Sequence, residues 1–301
     1  MEIYQEPIYY QNPLLCIKVW EFSVSGPQPP RRPARWHYHK EIEFILVKKG
    51  RHRLQTPSAT YDLGPGDVMA IGSSRLHTAS RLGEEELVYI VLHVDLEPYF
   101  DPAMMPYYRH FAEIAQPLEE LNYIFAENKE ARDAVGQIIE SIHGEMMRKP
   151  MGYEIAASMH IKHLLLTLLR GDSRGLLQAH EHIDGATIKP ILAYIEEHLS
   201  ERIELEAVSR MAGMSYHYFS RYFKKTMGVP FTDYVNRKRI AAAERLLVTS
   251  GRSVGDIAES VGIDNMAHFY ELFRRYNGCT PKQFLRRMMP DASPALRERQ
   301  G

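Results

Sequence analysis

The chain contains one segment twice, and this repeat constrains its fold more than any other feature of the sequence. Residues 205–234 and 254–284 share their pattern of apolar residues and glycines, with one residue inserted after the first glycine of the second copy. Each copy predicts a short helix, a glycine turn and a second helix, which together form a helix-turn-helix unit. Two such units favour a protein that binds two neighbouring segments of one DNA duplex. The matched positions are Val208 and Ile257, Gly213 and Gly262, Phe219 and Phe269, Phe223 and Phe273, Gly228 and Gly278, and Tyr234 and Phe284.

Charge is distributed unevenly along the chain, although the net charge of the 301 residues is only −1. Residues 1–186 hold 19 Lys and Arg against 25 Asp and Glu, a net of −6, whereas residues 187–301 hold 18 against 13, a net of +5. A basic half joined to an acidic half is typical of a DNA-contacting module attached to a partner domain. The alternative explanation of the uneven charge is chance variation between two ordinary domains.

Length and composition predict two globular domains rather than a membrane or secreted protein. A chain of 301 residues supports two separate cores. The longest apolar stretch, residues 161–169, is too short to span a bilayer and contains Lys162 and His163. The first residues lack the pattern of a secretory signal. The two cysteines, Cys16 and Cys279, are far apart in the sequence, which favours a reducing cytoplasm without disulfides.

Residues 14–97 are predicted to form a β-barrel or sandwich. Short runs of β-branched and aromatic residues alternate there with turns rich in glycine and proline. Many short strands separated by turns are typical of closed or double-layered β architectures. The predicted strands are residues 16–22, 41–47, 51–55, 68–71 and 87–95.

From about residue 116 the apolar residues recur at a helical period. Two helices are predicted, residues 133–148 and 153–170, and they form an antiparallel pair. The second helix is apolar on more than one face. One interpretation is that it only packs against the barrel, and the more specific one is that its second apolar face also forms a dimer interface. Residues 171–186 are predicted to be a linker. The apolar residues are Val135, Ile138, Ile139, Ile142 and Met146 in the first helix and Ile155, Met159, Leu165 and Leu169 in the second.

The C-terminal half is predicted to be helical, with helices at residues 187–199, 205–211, 216–227, 231–249, 254–261 and 266–276 and a last one from Pro281. In each second helix of a repeat, the phenylalanine pair faces the core and the opposite face is free to meet DNA. Arginine pairs with guanine, whereas lysine more often meets phosphate. The predicted DNA-binding residues are His217, Ser220, Arg221, Lys224 and Lys225 in the first unit and Ala267, Tyr270, Glu271 and Arg274 in the second. The basic residues 237–239 are assigned either to the DNA backbone or to a solvated, ion-paired face.

This half resembles the DNA-binding domain of the AraC/XylS family of bacterial transcription regulators. The motifs are GxS…FSRxFK…G…P, then RxxxAxxLL, then IAxxxG…F…FRR…GxTPxxF, and they cover residues 187–287. The resemblance implies a homodimer that binds double-stranded promoter DNA, mainly through the first unit, with RNA polymerase as a partner if it is an activator. The chain departs from the family at Tyr270, Glu271 and Ser209, where smaller or basic residues are usual. Glu271 would repel phosphate, but it can accept a hydrogen bond from a cytosine amine.

The N-terminal half resembles the cupin double motif. Strand alternation places His37, His39, Glu41 and Glu43 on one face. Six residues separate Glu43 from Gly50, and a Pro-Gly-Asp turn is followed by His77, as in the motif. In metal-binding cupins the matching residues, here His37, His39, Glu43 and His77, are ligands of iron, manganese, zinc or nickel.

Three interpretations of this cluster stay open: a divalent metal, a metal-free ligand pocket, or packing alone. No cofactor is required by any of the motifs. Trp36 and Tyr38 beside the cluster are predicted to stack on a sugar or an aromatic effector. Arg31, Arg32 and Arg35 would attract an anionic effector or form a solvated loop.

The sequence therefore predicts an α+β protein of two domains. Residues 1–170 form a cupin-like β-barrel with a helical dimerisation hairpin, residues 187–290 form an all-α domain with two helix-turn-helix motifs, and residues 291–301 form a flexible tail. The function predicted is a cytoplasmic, non-enzymatic transcription regulator that responds to a small effector, with a sugar favoured. The alternatives are a metal-dependent cupin oxygenase or isomerase with an accessory helical domain, and a regulator that senses metal itself.

Overall fold

A computed structural model describes residues 3–26, 35–57, 59–114, 116–178 and 184–288. The chain divides into two compact units, residues 2–179 and residues 180–301, which are called the N-terminal unit and the C-terminal unit below. Among the described residues, no helix is both long and apolar enough to cross a membrane. The predicted tail, residues 291–301, and part of the predicted linker, residues 179–183, lie outside the described residues.

The described residues of the N-terminal unit form nine strands in three sheets. A four-stranded antiparallel sheet has the order β2-β9-β4-β7, a three-stranded sheet has the order β6-β5-β8, and β1 pairs with β3 in parallel. The strands are β1 (Ile3–Gln5), β2 (Ile17–Val24), β3 (Trp36–Tyr38), β4 (Ile42–Lys49), β5 (Arg51–Gln55), β6 (Thr60–Leu63), β7 (Val68–Ile71), β8 (Thr78–Leu82) and β9 (Leu87–Val94). Sequence patterns predicted β2, β4, β5, β7 and β9 and missed the other four.

The two larger sheets enclose one apolar core. Ile45 from β4, Met69 from β7 and Leu54 from β5 are buried together in it. Hydrogen bonds between the described strands do not run around a closed barrel, because β2 and β8 are sheet edges. The guanidinium of Arg81 on β8 bridges these edges by donating to the carbonyl of Val24 at the end of β2, at 3.2 Å. The cupin-like barrel is therefore present, with one side held by a side chain.

Helices cover the outer face of the four-stranded sheet. Short helices α1 (Tyr108–Phe111) and α2 (Asn122–Glu127) lead to the long pair α3 (Lys129–Arg148) and α4 (Tyr153–Gly171). The helix α3 starts four residues before the predicted position, because Asn128 caps it by accepting from the backbone N–H of Ala131. It packs closely on β4, since a Cβ at Gly136 would lie 3.3 Å from Leu46.

The buried face of α4 differs from the one predicted from periodicity. It consists of Ala157, Ile161, Leu164, Leu165 and Leu168, whereas Leu169 is half-buried. Ile155 and Met159 are instead 78% and 58% exposed. Because α4 is apolar on two faces, the periodicity of its apolar residues does not indicate which face is buried.

Within residues 184–288, the C-terminal unit forms seven helices. They are α5 (Gly185–Glu197), α6 (Leu205–Met211), α7 (Tyr216–Met227), α8 (Phe231–Thr249), α9 (Val254–Ser260), α10 (Met266–Asn277) and α11 (Pro281–Met288). The helices α6 and α7 form the first helix-turn-helix unit, and α9 and α10 form the second. The bounds of α6, α7 and α8 are those predicted, and the other helices differ from prediction by one or two residues.

Local capping explains why these bounds follow from the sequence. Ser215, Ser253 and Asn265 each accept a hydrogen bond from a backbone N–H three residues later, as an N-cap does. Thr280 accepts from the N–H of Gln283 while the Gln283 side chain accepts from the N–H of Thr280, which is a capping box before α11.

The turn of the second unit requires glycine. Gly262 has a φ of +77°, and a Cβ there would lie 2.9 Å from the carbonyl oxygen of Leu199, which follows α5. The side chain of Arg239 on α8 donates to the same carbonyl at 2.9 Å and also to the carbonyl of Glu201. These contacts tie α5, α8 and the second unit together.

Candidate nucleic-acid interface and histidine cluster

The helix α7 presents one buried and one exposed face. Phe219 and Phe223 are fully buried and pack on Phe231, and Phe223 also packs on Tyr234. The predicted DNA-binding residues lie on the opposite side. His217, Arg221, Lys224 and Lys225 are exposed and Ser220 is half-buried.

The helix α10 repeats this arrangement. Phe269 and Phe273 are fully buried, and Phe273 packs edge-on against Phe284 of α11. Ala267, Glu271 and Arg274 are exposed and Tyr270 is half-buried. These four residues and Arg275 line an open surface groove of about 450 Å³.

The two exposed faces differ in charge at equivalent positions. Arg221 of the first unit corresponds to Glu271 of the second. Among the described residues, no carboxylate lies within ion-pair distance of Arg221, so its guanidinium is available to an outside partner. The carboxylate of Glu271 lies 3.9 Å from the imidazole of His268, one turn away.

The basic residues 237–239 have structural partners. Arg239 donates to the backbone carbonyls described above, and Lys238 lies 2.5 Å from Glu196 of α5. The ion-paired interpretation therefore describes Lys238, and Arg239 anchors the loop after α5. Ser209, which departs from the family pattern, is buried with its hydroxyl donating to the carbonyl of Glu206 at 2.9 Å.

In the N-terminal unit, the structure brings together the four residues of the cupin motif. His39, Glu43 and His77 are each less than 5% exposed, and His37 is half-buried beside them. The imidazole centroids of His37 and His77 are 4.1 Å apart, and those of His39 and His77 are 5.2 Å apart. An isolated backbone bridge joins His37 on β3 to His77, which directly precedes β8.

One carboxylate oxygen is the centre of this cluster. The Oε2 atom of Glu43 lies 2.8 Å from Nε2 of His39 and 3.4 Å from Nε2 of His77. Burial by itself would raise the pKa of Glu43, but the charge of His77 and hydrogen bonds from imidazoles hold that pKa well below its usual value. Burial lowers the pKa of His37 to about 4, and His77 acts in the same direction.

Sequence reasoning missed a further histidine in this cluster. His93 on β9 is directly opposite Glu43 on β4, and its Nε2 atom lies 3.1 Å from Glu43 Oε2. It is also buried. The available signal was a histidine within an otherwise apolar strand, LVYIVLHV, where a polar residue needs a partner.

Two other residues predicted near the cluster point elsewhere. Because side chains alternate along β3, Trp36 and Tyr38 lie on the face opposite to His37 and do not share its surroundings. The carboxylate of Glu41 accepts from the hydroxyl of Tyr10 at 2.5 Å rather than facing Glu43. Arg31 and Arg32 lie outside the described residues, and Arg35 lies over the ring of Tyr4.

A different set of aromatic side chains shares the face of the cluster. In the ladder of β2, β9 and β4, the row that holds Glu43 and His93 continues to Lys18 on β2, and Trp20 and Phe22 follow Lys18 on the same face of that strand. Trp20 is 49% exposed, and the ring of Phe22 stacks on Tyr89 at 5.3 Å. The inner face therefore combines a polar cluster with an accessible aromatic wall.

Comparisons with known proteins agree with this division. Residues 208–287 match a family model described as a helix-turn-helix domain, and residues 27–93 match one described as a cupin domain. The HTH-type transcriptional activator AarP of Providencia stuartii is 30% identical over 105 residues, which are 35% of this chain and 78% of AarP. The HTH-type transcriptional activator RhaS of Escherichia fergusonii is 26% identical over 268 residues, which are 87% of this chain and 92% of RhaS.

Among solved structures, a similar one is the C-terminal domain of the two-component response regulator yesN from Fusobacterium nucleatum. It is 35% identical, covers 33% of this chain and 98% of its own, and has a TM-score of 0.32.

Proposed function

Because the chain belongs to the AraC/XylS family of helix-turn-helix transcription regulators, we propose that it reads promoter DNA with two unequal helix-turn-helix units under the control of a small effector. The main supporting observation is that α7 and α10 each bury a pair of phenylalanines on one face and leave the opposite face exposed. Footprinting on the DNA beside its own gene, with and without a panel of sugars, tests it. Protection of two adjacent major-groove segments is expected, and no protected segment would contradict the proposal.

The first unit is the stronger reader of sequence in this proposal. Arg221 is free to make a bidentate contact with guanine, and His217 and Ser220 flank it on the same face. Lys224 and Lys225 at the end of α7 are placed to meet phosphate. In the second unit, Glu271 at the position of Arg221 adds a negative charge that weakens any approach to the DNA backbone.

Replacing Glu271 by alanine tests the role of the second unit. We expect Glu271→Ala to bind promoter DNA more tightly, because a negative charge near phosphate is removed. If Glu271 accepts from a cytosine amine, the variant also loses roughly 1–3 kcal/mol of preference for that base. Competition binding against operators substituted at single positions measures both effects.

The matched control for this change is Glu259→Ala, which removes the same charge from the exposed surface of α9. It should alter neither affinity nor base preference. If Glu271→Ala behaves like Glu259→Ala, Glu271 plays no part in reading DNA.

We propose that two copies of the chain associate through α4. Met151 just before the helix, Ile155 and Met159 follow one another at intervals of four residues, so they form one stripe on the helix surface. All three are exposed, Met151 completely. Such a stripe on the side of α4 away from its buried face supports an isologous interface with a second copy.

The double variant Ile155→Asp, Met159→Asp tests this interface. Introducing charges into an apolar contact should weaken self-association by at least about tenfold, since one buried apolar side chain contributes roughly 1.5–3 kcal/mol. Sedimentation equilibrium of the full chain measures it. Glu154→Ala is the matched control on the same helix. Equal self-association of the double variant and the control would exclude α4 as the interface.

The effector is proposed to bind on the inner face of the sheets. This face offers hydrogen-bonding groups at the histidine cluster and apolar surface at Trp20, Phe22 and Tyr89. A sugar has both a polar rim and an apolar face, so it suits this combination. The prediction of a sugar-like effector therefore rests on these aromatic residues instead of Trp36 and Tyr38.

We propose further that the chain acts in the cytoplasm without catalysing a reaction, and that RNA polymerase is a partner if it activates transcription. The similarity to AarP and RhaS, which are transcriptional activators, supports this. The competing function is a metal-dependent cupin oxygenase or isomerase. Turnover of sugars or phenols by the purified chain, with and without added metal, separates the two.

A second candidate function is a regulator whose histidine cluster holds a divalent cation. The supporting observation is the anchoring of two imidazoles through Nδ1. His39 Nδ1 lies 3.0 Å from the carbonyl oxygen of Glu41, and His77 Nδ1 lies 2.9 Å from that of Arg75. A carbonyl only accepts, so each Nδ1 carries a proton and directs Nε2 toward the cluster, as in metal sites.

A further inference from the structure

We propose that His93, and not His37 of the cupin motif, is the third imidazole ligand of a divalent transition-metal ion held with His39, Glu43 and His77. This inference rests on the second candidate function above, a cation in the histidine cluster. It changes the predicted ligand set, because the motif contains His37 and does not contain His93. The geometry of β4 and β9 supports it.

Strand pairing fixes His93 against the carboxylate. Glu43 and His93 are Cα partners in the antiparallel ladder of β4 and β9, so their side chains stand on the same face of the sheet. Each lies one residue from the end of its strand, and both strands are hydrogen-bonded on two sides. A ligand pair on two paired central strands is held more rigidly than one on a loop.

Distances separate His93 from His37. The ligand atoms of His39, Glu43 and His93 all lie within 4.8 Å of one another, and all three residues are buried. His93 Nε2 is 3.1 Å from Glu43 Oε2, and His77 Nε2 is 3.4 Å from the same oxygen. His37 and His77 form a second such group with His39, and of these two histidines only His77 lies within ion-pair distance of the Glu43 carboxylate.

His37 has a different partner. Its Nε2 atom lies 3.4 Å from the carboxylate of Glu6, which also lies 3.8 Å from the ammonium group of Lys18. The side chain of His37 is 16% exposed, compared with 1% for His39 and His77. His37 therefore lies at the rim of the cluster, where it is paired with a carboxylate that faces solvent.

The donor set suits a transition metal. When the imidazoles are neutral, the Nε2 atoms of His39 and His77 and the Glu43 oxygen are all acceptors, so their proximity is stabilised either by protons on the imidazoles or by a bound cation that displaces those protons. Three imidazoles and one carboxylate match the preferences of zinc, iron, manganese, cobalt or nickel. Calcium and magnesium prefer sets made of oxygen.

Cobalt binding to the full chain, purified without a histidine tag and stripped with a chelator, tests the assignment. Cobalt(II) absorption titrations and elemental analysis are performed on wild type, His93→Asn and the matched control His37→Asn. We expect one cobalt per chain in wild type, an affinity loss of roughly 100-fold or more in His93→Asn, and little change in His37→Asn. Circular dichroism verifies that each variant is folded.

A second variant gives a positive signal and does not depend on loss of function. His93→Cys should retain cobalt and add a thiolate-to-cobalt charge-transfer band, whereas His37→Cys should not. If His37→Asn loses cobalt and His93→Asn keeps it, or if a cobalt-loaded His93→Cys lacks the band, the assignment of His93 is wrong. Absence of cobalt binding by wild type would overturn both this inference and the cation-binding candidate, and it would leave the DNA-binding function untouched.

Discussion

Arg221→Ala should lower the affinity of the chain for its promoter site by about 1–3 kcal/mol, which is roughly 5- to 150-fold, and should relax base preference at one position. The reason is that the guanidinium at the centre of the exposed face of α7 is available for a bidentate contact with guanine. No described carboxylate pairs with Arg221, so its removal leaves no unpaired partner behind. Fluorescence anisotropy with the footprinted operator, at fixed salt, measures the loss.

The control for this prediction is Arg202→Ala. Arg202 is an exposed residue of the C-terminal unit that lies outside α7 and α10. Its guanidinium is 3.4 Å from the carboxylate of Glu204. Both variants lose one positive charge, so a general electrostatic effect would weaken binding equally in both. A base-reading role predicts that only Arg221→Ala changes the preference among substituted operators. Equal affinities and equal preferences for the two variants would exclude Arg221 as a base reader.

The C-terminal unit was predictable from the sequence because its signals are local. A cap such as Ser215 and the backbone N–H that donates to it are three residues apart. The phenylalanine pair in each of α7 and α10 spans one turn. Neither feature depends on distant parts of the chain. The repeat adds independent support, since each copy predicts the same arrangement for the other.

The cupin cluster was only partly predictable. His37, His39, Glu43 and His77 were recognised because their spacing matches a motif, and the structure places them together. His93 is 50 positions after Glu43, and only the register of β4 against β9 brings it there. Pairing between distant strands is set by the tertiary fold, so a single sequence does not reveal it.

The same reason explains why Trp36 and Tyr38 do not share the face of His37. Adjacency in sequence suggested that they line the pocket with His37, but alternation along a strand puts neighbours on opposite faces. The aromatic residues on the inner face, Trp20 and Phe22, belong to another strand and reach that face through pairing with β9. The involvement of Trp36 and Tyr38 in effector binding stays a prediction, and the structure adds Trp20 and Phe22 as aromatic residues on the face of the histidine cluster.

The two units of the repeat share a scaffold and differ in their chemistry. Caps, turn glycines and phenylalanine pairs recur, whereas Arg221 is replaced by Glu271 and His217 by Ala267. Packing constrains the first set of residues in both copies. The second set faces outward, so the packing of the two copies leaves it free to differ.

Phe223→Ala should strongly destabilise the C-terminal unit while the stability of the N-terminal unit is unchanged. Phe223 is fully buried and contacts Phe219, Phe231 and Tyr234, so truncation leaves a cavity between α7 and α8. The expected cost is about 3–5 kcal/mol, which is comparable with the total stability of a small domain. Phe223→Leu, which keeps most of the volume, should cost less than about 1.5 kcal/mol.

The position of the tryptophans makes this prediction measurable in the full chain. Trp20 and Trp36, the two tryptophans of the sequence, both lie in the N-terminal unit, so their fluorescence follows unfolding of that unit alone. Far-UV circular dichroism also follows the helices of the C-terminal unit. In Phe223→Ala, part of the dichroism signal should therefore be lost at a lower urea concentration, with the fluorescence midpoint unchanged. Coincident shifts of both signals would show that the two units unfold together and that Phe223 stabilises more than its own unit.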